Sequence, residues 1–454
     1  MKRSDFVRIF AGALVAICSV LPVVAQARTQ YLHCLAGQNY WEKFYTLDGK
    51  PVARSVVQAD PECEVWTSQL DGSNITLDGK NFTFYSWRID ATNITTKMTG
   101  PWVDGSGVVT LGAGGLTMGA RNLMRFGNPK NNVRIALAAS QTWRGLSSGT
   151  AWSYFHIGSY NTWGDNKYWH ARIAANDSIN WTIDGRIKVA LTGPNDLSNV
   201  DVVVKPKARL LLLSSWADGA CKADARLKAR SLTLEGGDTE SSEALLTVGA
   251  KNPATWIENA YAPAAFNDDT FSPDIRLLNG ASITGGTVDY GVSRLTVSGG
   301  ASSFSGTVRL KKKGVVDIAA GARLSFTDSV TADSGAGLEV TGAGELCFSS
   351  GSISVPLSGN GCIVCDPASG EETVVTPASD LSSFEGTIYV ARGTLLVSPA
   401  VTLNENVTIR TAQGASWRKL TDADYGDFEE NGRMHFRDSD WHSPCIPLSK
   451  CHVR

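Results

Sequence analysis

The sequence predicts an all-β fold: a right-handed parallel β-helix (solenoid) with an N-terminal cap and a short C-terminal cap or tail. Three observations carry this. First, Ser303-Phe304-Ser305-Gly306-Thr307-Val308-Arg309-Leu310 recurs as Ser383-Phe384-Glu385-Gly386-Thr387-Ile388-Tyr389-Val390. Self-similarity built from short strands and glycines suits a stack of repeated units. Second, the chain reads as strand, small-residue turn, strand almost throughout, with mostly period-two alternation that gives each strand one buried and one wet face. Third, the 454 residues include 45 glycines and only 19% charged side chains, and helical periodicity is nearly absent. Small residues at the corners permit the tight turns such strands need.

The elements follow in order. Lys2 and Arg3 precede an apolar run from Ile9 to Ile17, and Ala25-Gln26-Ala27 offers small residues for cleavage. This is a three-part secretory signal over residues 1–27. The run is shorter than the roughly 20 apolar residues a spanning helix needs. The mature chain is therefore expected to start at Arg28, with no transmembrane segment after signal removal, and to be secreted or held at the cell surface. Residues 28–70, with Cys34, Trp41, Phe44, Tyr45, Cys63 and Trp66, form the expected N-terminal cap over the open end of the stack.

Residues 71–413 form the expected solenoid. Its strands include Gly107-Val108-Val109-Thr110-Leu111, Val133-Arg134-Ile135-Ala136-Leu137, Arg294-Leu295-Thr296-Val297 and Arg323-Leu324-Ser325-Phe326. The interval from Gly306 to Gly386 holds about four passes of roughly 20 residues. Residues 414–454 turn acidic, with His435 and His442 among the aspartates, and are expected to be a second cap or a docking tail. The histidine spacing matches no metal-ligand pattern, so no metal or cofactor is expected.

Two segments add a resemblance. Ile135-Ala136-Leu137-Ala138-Ala139-Ser140-Gln141-Thr142-Trp143 and the Phe384 to Val397 run with its Gly393-Thr394-Leu395 are similar to the autotransporter-associated β-strand repeats. So, less specifically, is Leu111-Gly112-Ala113-Gly114-Gly115-Leu116-Thr117. The resemblance covers about half the chain in degenerate pieces. It implies a passenger-like parallel β-helix serving as a bacterial surface or secreted stalk, often adhesive, and it supplies no catalytic residues. The family's C-terminal translocating barrel has no counterpart in these residues.

In an exported chain, cysteines read as a disulfide framework. Cys445 and Cys451, with Pro447 between them, are the expected pair, and Cys34 with Cys63 is a candidate tie for the cap. Cys362-Ile363-Val364-Cys365 has strand-like residues between its sulfurs, no following helix and no second CxxC, so it reads as structural rather than as a redox or zinc site.

The net charge of −2 gives no electrostatic footprint for nucleic acid or for an anionic membrane. Aromatic residues crowd between Trp152 and Trp169. Trp152, Tyr154, Tyr160, Trp163 and Trp169, with Asp165 and Asn166, form a candidate glycan-binding set: flat rings meet the C–H faces of sugars while amide and carboxylate groups bond hydroxyls. The same rings could instead fill the core or a hairpin laid on the solenoid.

Catalytic patterns are faint. Asp268-Asp269 and Arg186-Ile187-Lys188 echo those of β-helical polysaccharide hydrolases, but no Gly-His-Gly element accompanies them. Gly145-Leu146-Ser147-Ser148-Gly149 matches Gly-x-Ser-x-Gly, yet no helical pattern follows, as a nucleophile elbow requires. The expected function is thus a non-catalytic structural or adhesion protein of the cell surface, with extracellular glycans or cell-surface components as partners. A carbohydrate-binding protein is the second reading, and a polysaccharide lyase or hydrolase the third.

Overall fold

A computed structural model of the chain describes residues 27–34, 44–69, 74–76, 80–90, 102–104, 107–119, 122–127, 133–147, 152–161, 167–169, 171–192, 194–217, 220–223, 225–237, 245–251, 264–265, 274–367 and 372–422. The fold is all-β and most strand pairings are parallel. The five-residue Arg54–Gln58 is the one helix among the described residues.

The strands run in three parallel ladders. One passes through Leu295, Val316 and Val340 to Gly359 and Phe384. A second passes through Leu324, Leu346, Ile363, Ile388 and Ile409. A third passes through Val288, Val308 and Val330, and farther along through Ile353, Val375 and Val397. Side-chain hydrogen bonds join neighbouring rungs, and among Ser282 to Cys347 they link residues 20, 21 and 24 apart in Arg309 to Asp289, Ser282 to Ser303 and Arg323 to Cys347.

Alternation puts one set of side chains inside. A single buried apolar cluster runs from Tyr31 to Val401. Within it identical residues stack: Phe304, Phe326 and Phe348 lie with ring centroids 5.8 Å apart at each step. Near the N-terminal side the interior is wider in residue type, with Trp87, Trp143 and Trp181 fully buried. Trp143 packs edge-on to Trp181 at 4.9 Å, and its indole N–H donates to Gln141 Oε1 at 3.0 Å.

The sequence echo does not fall on equivalent rungs. Phe304 stands in the column that continues through Phe326, Phe348, Cys365 and Val390, whereas Phe384 stands opposite Gly359 in another ladder. Each copy turns a corner at its glycine. The Gly306 copy leads from the second ladder into the third, and the Gly386 copy from the first into the second. The repeat therefore encodes a corner that several faces reuse, and its period is not a whole number of passes.

At the N-terminal side, Gln30–Cys34 pairs antiparallel with Phe44–Tyr45 and parallel with Glu64–Gln69, which leads into the first ladder through Asn81–Ile89. Cys63 is a buried free thiol, so the expected tie to Cys34 is not made. Cys347, Cys362 and Cys365 are also free. Strand alternation turns Cys365 into the core while Cys362 stays half-buried on the other face, and the CxxC sulfurs point apart. Cys445 and Cys451, the signal region before Ala27 and most of the acidic tail lie outside the described residues. No described helix is long and apolar enough to cross a membrane.

Candidate functional site

The aromatic segment is divided by strand alternation. In Ser153–Ile157, the side chains of Ser153, Phe155 and Ile157 face inward, and Phe155 packs edge-on to Trp143 at 5.1 Å. Tyr154 and His156 face outward. The strand pairs with Ile187–Thr192, which places Tyr154 opposite Lys188 and His156 opposite Ala190. That strand in turn pairs with Arg209–Ala217, which places Lys188 opposite Arg209. The outward row thus reads Tyr154, Lys188, Arg209 across three rungs.

All six residues of Ile187–Thr192 are buried, although alternate ones point away from the main core. Ala190, Leu211 and Leu213 form a small second apolar cluster on this outer side. The chain leaves the Ser153–Ile157 strand at Gly158, whose φ of +70° lies in the region that favours glycine. It then forms an antiparallel hairpin of Ser159–Asn161 and Lys167–Trp169, with Tyr160 opposite Tyr168, and both arms lie near Arg209–Ala217. The segment is therefore part core, part outer-face cover.

Trp152, half-buried at the start of this unit, is ringed by cations. The Arg209 guanidinium lies 4.6 Å from its ring centroid, the Lys188 ammonium 5.3 Å and the Arg186 guanidinium 5.6 Å. Lys188 is also 4.9 Å from the Tyr154 ring. The negative faces of the two rings attract these charges. Lys188 is 4% exposed, and burial, with repulsion from Arg209 added, pulls its pKa down to about 8. Burial likewise raises the Tyr154 phenol. Asp184, two residues before Arg186, is engaged by Arg144, which donates to it at 2.9 Å.

Of the residues expected to bind glycan, Trp152 and Tyr154 are brought together on this outer face. Tyr160 and Trp169 lie on the hairpin strands, and Trp163, Asp165 and Asn166 are outside the described residues. In the sequence Arg186 and Lys188 stand out only as a hydrolase echo, and nothing local marks Arg209. Their meeting with Trp152 depends on the register of three rungs, which local sequence does not encode. Asp268 and Asp269 are outside the described residues. Among the described residues no group of His, Cys, Asp and Glu is arranged to hold a metal ion.

No protein-family model matches this chain, and neither a curated protein nor a solved structure shows significant similarity to it.

Proposed function

We propose that this chain is an exported bacterial β-solenoid, right-handed and passenger-like, acting as a non-catalytic structural or adhesion protein at the cell surface. One observation carries the reading: three parallel ladders share a single apolar core from Tyr31 to Val401. A stack of this kind grows in length rather than in girth, which suits a stalk that projects a surface. The sequence supplies the route, through the secretory signal of residues 1–27, and the strand-Gly-Thr-Leu pattern resembling autotransporter-associated repeats supplies the setting. The antiparallel strands near Phe44 serve as the N-terminal cap. Surface proteolysis of intact expressing bacteria tests this, combined with N-terminal sequencing of the released chain. The expected result is protease-accessible protein beginning at Arg28. An uncleaved protein retained in the cytoplasm sinks the proposal.

A second reading, a carbohydrate-binding protein, is favoured by one further observation. Trp152 and Tyr154 sit half-buried on an outer face beside Arg186 and Arg209 rather than in the core. Half-buried aromatic rings next to hydrogen-bond donors match the mixed apolar and hydroxyl surface of a sugar. A glycan array probed with the purified chain tests it. Binding lost on Trp152→Ala supports it, and an array with no binding rules it out.

A further inference from the structure

We propose that the last rung of the stack is a docking surface for the chain's own residues 423–454, and that this segment shuts the end against pairing with a second copy. The last rung is formed by Thr408–Thr411 and Ser416–Lys419. These strands pair with Thr387–Val390 and Thr394–Val397, and no other strand among the described residues pairs with them. Leu403, Ile409 and Trp417 end three columns of the interior, stacked on Leu381, Ile388 and Leu395. The three lower residues are 0% exposed, because a rung lies on each side of them. Leu403, Ile409 and Trp417 pack on the same core yet are only half-buried. The end also presents backbone donors. Thr408 donates to Gly386 O and Ala412 to Val390 O, while Ser416 donates to Gly393 O and Leu420 to Val397 O. Donors alternate along a parallel strand, so the N–H groups of Ile409, Thr411, Trp417 and Lys419 face the open side. An apolar end lined with unpaired strand donors is a template for another chain unless something covers it.

Charge and tether both select the chain's own segment. Residues 404–420 carry Arg410, Arg418 and Lys419 against Glu405 alone, so the rim of the rung is basic. Residues 423–432 carry Asp424, Asp427, Glu429 and Glu430 and no cation, with Tyr425 and Phe428 interleaved. Opposite charge steers this segment onto the rim, whatever other contacts the rim side chains make, and its rings supply the apolar cover that Ile409 and Trp417 lack. The segment begins just beyond Leu420, whose amide is anchored to the third ladder. So short a tether holds it at an effective concentration on the order of millimolar. A second copy is disfavoured on two grounds. Two such ends face to face would set basic rim against basic rim. At the other end of the stack, the antiparallel pairing of Gln30–Cys34 with Phe44–Tyr45 offers no matching parallel rung.

Hydrogen exchange at single-residue resolution on residues 28–454 tests this. The Ile409, Thr411, Trp417 and Lys419 amides are expected to exchange at least tenfold more slowly than unstructured amides, independently of protein concentration. In Tyr425→Ser/Phe428→Ser they should speed up at least tenfold, while the amides of Ile388 and Leu395 one rung below stay unchanged and report an intact stack. Glu429→Lys/Glu430→Lys keeps the rings, reverses the charge and should also speed the four amides. Full exchange of the four amides in the parent overturns the proposal, since the end would then be open to water. Protection that rises with protein concentration, matched by dimers in sedimentation, makes a second copy the occupant and overturns it too. So does protection that neither variant changes, because the cover would then come from elsewhere.

Discussion

Lys188 lies directly opposite Arg209 in a parallel ladder, and its buried ammonium sits 4.9 Å from the Tyr154 ring. Few places in a sheet are less favourable for two cations, since both burial and like charge oppose the protonated amine. Trp152 and Tyr154 present ring faces to the ammonium, and their attraction offsets part of this cost.

This cost has a pH signature. The Lys188 pKa falls to about 8 in the folded chain, against about 10.4 in an unfolded one. Between those values the unfolded chain binds more protons, so the Lys188 contribution improves with rising pH, and the penalty is complete below about 8. Tyr154 faces it from one side and Arg209 from the other, the Trp152 ring lies 5.3 Å away, and Arg186 stands two residues before it in the chain. We expect Lys188→Met to be more stable than the parent at pH 7 by roughly 1–3 kcal/mol. That advantage should shrink between pH 8 and pH 10. Urea unfolding of both proteins at several pH values measures it; a constant gap across the window contradicts the assignment.

The two echo glycines make a second prediction. A Cβ at Gly306 would sit 2.1 Å from the Gly285 carbonyl oxygen, and one at Gly386 would sit 2.0 Å from that of Gly361. Gly306 also has a φ of +103°. By contrast Gly321, with φ +74°, has nothing within 4 Å of such a Cβ. Gly321→Ala is expected to cost only the left-handed backbone penalty of about 1–2 kcal/mol. Gly306→Ala and Gly386→Ala must in addition push neighbouring rungs apart and should each cost more. Equal melting temperatures for all three variants would falsify the corner role.

That contrast shows what the sequence could convey. Strand identity, corner glycines and inward alternation are local, and they were legible: Val308 and Ile388 are both buried strand residues after a glycine corner. Which ladder each corner serves was not legible. Corners on different faces face the same steric demand, so Ser303-Phe304-Ser305-Gly306 and Ser383-Phe384-Glu385-Gly386 look alike while occupying different columns. The candidate site was half legible for a related reason. Trp152 and Tyr154 stand out as a local cluster, but Arg209 reaches them only through the pairing of three strands. The Cys34–Cys63 tie failed because parity in a cysteine count carries no geometry.

Thiol chemistry offers a third test. Burial is the main force pushing the Cys63 thiol up to about 12, with Asp60 adding repulsion, and burial raises Cys365 further still. Only the thiolate reacts, so both should resist alkylation at pH 8 in the folded chain, while half-buried Cys362 reacts first. Unfolding in urea should expose all of them. Differential alkylation read by mass spectrometry gives the order. Recovery of Cys63 in a disulfide would contradict the free thiol described here. The same non-reduced digest tests the proposed Cys445–Cys451 bridge, for which free thiols at both positions in protein from an oxidising compartment would be the adverse result.

Phe155 and Trp152 provide the last comparison, since they are near neighbours in one aromatic segment with opposite surroundings. Phe155 is fully buried and packs against Trp143 at 5.1 Å and Trp87 at 6.3 Å. Removing it leaves a cavity in a core that cannot collapse without disturbing the rungs on either side, so Phe155→Ala should cost about 3–5 kcal/mol. Trp152 is half-buried and its contacts are cations on an outer face. Trp152→Ala loses about 1 kcal/mol or somewhat more of cation–ring attraction and a smaller apolar burial, and it leaves Lys188 and Arg209 with less counter-charge. Its unfolding penalty should therefore be clearly smaller than that of Phe155→Ala, and its glycan binding should fall. Thermal unfolding and binding measured on both variants separate the two positions. A Trp152→Ala protein as unstable as Phe155→Ala would make Trp152 a packing residue and remove the aromatic half of the proposed site.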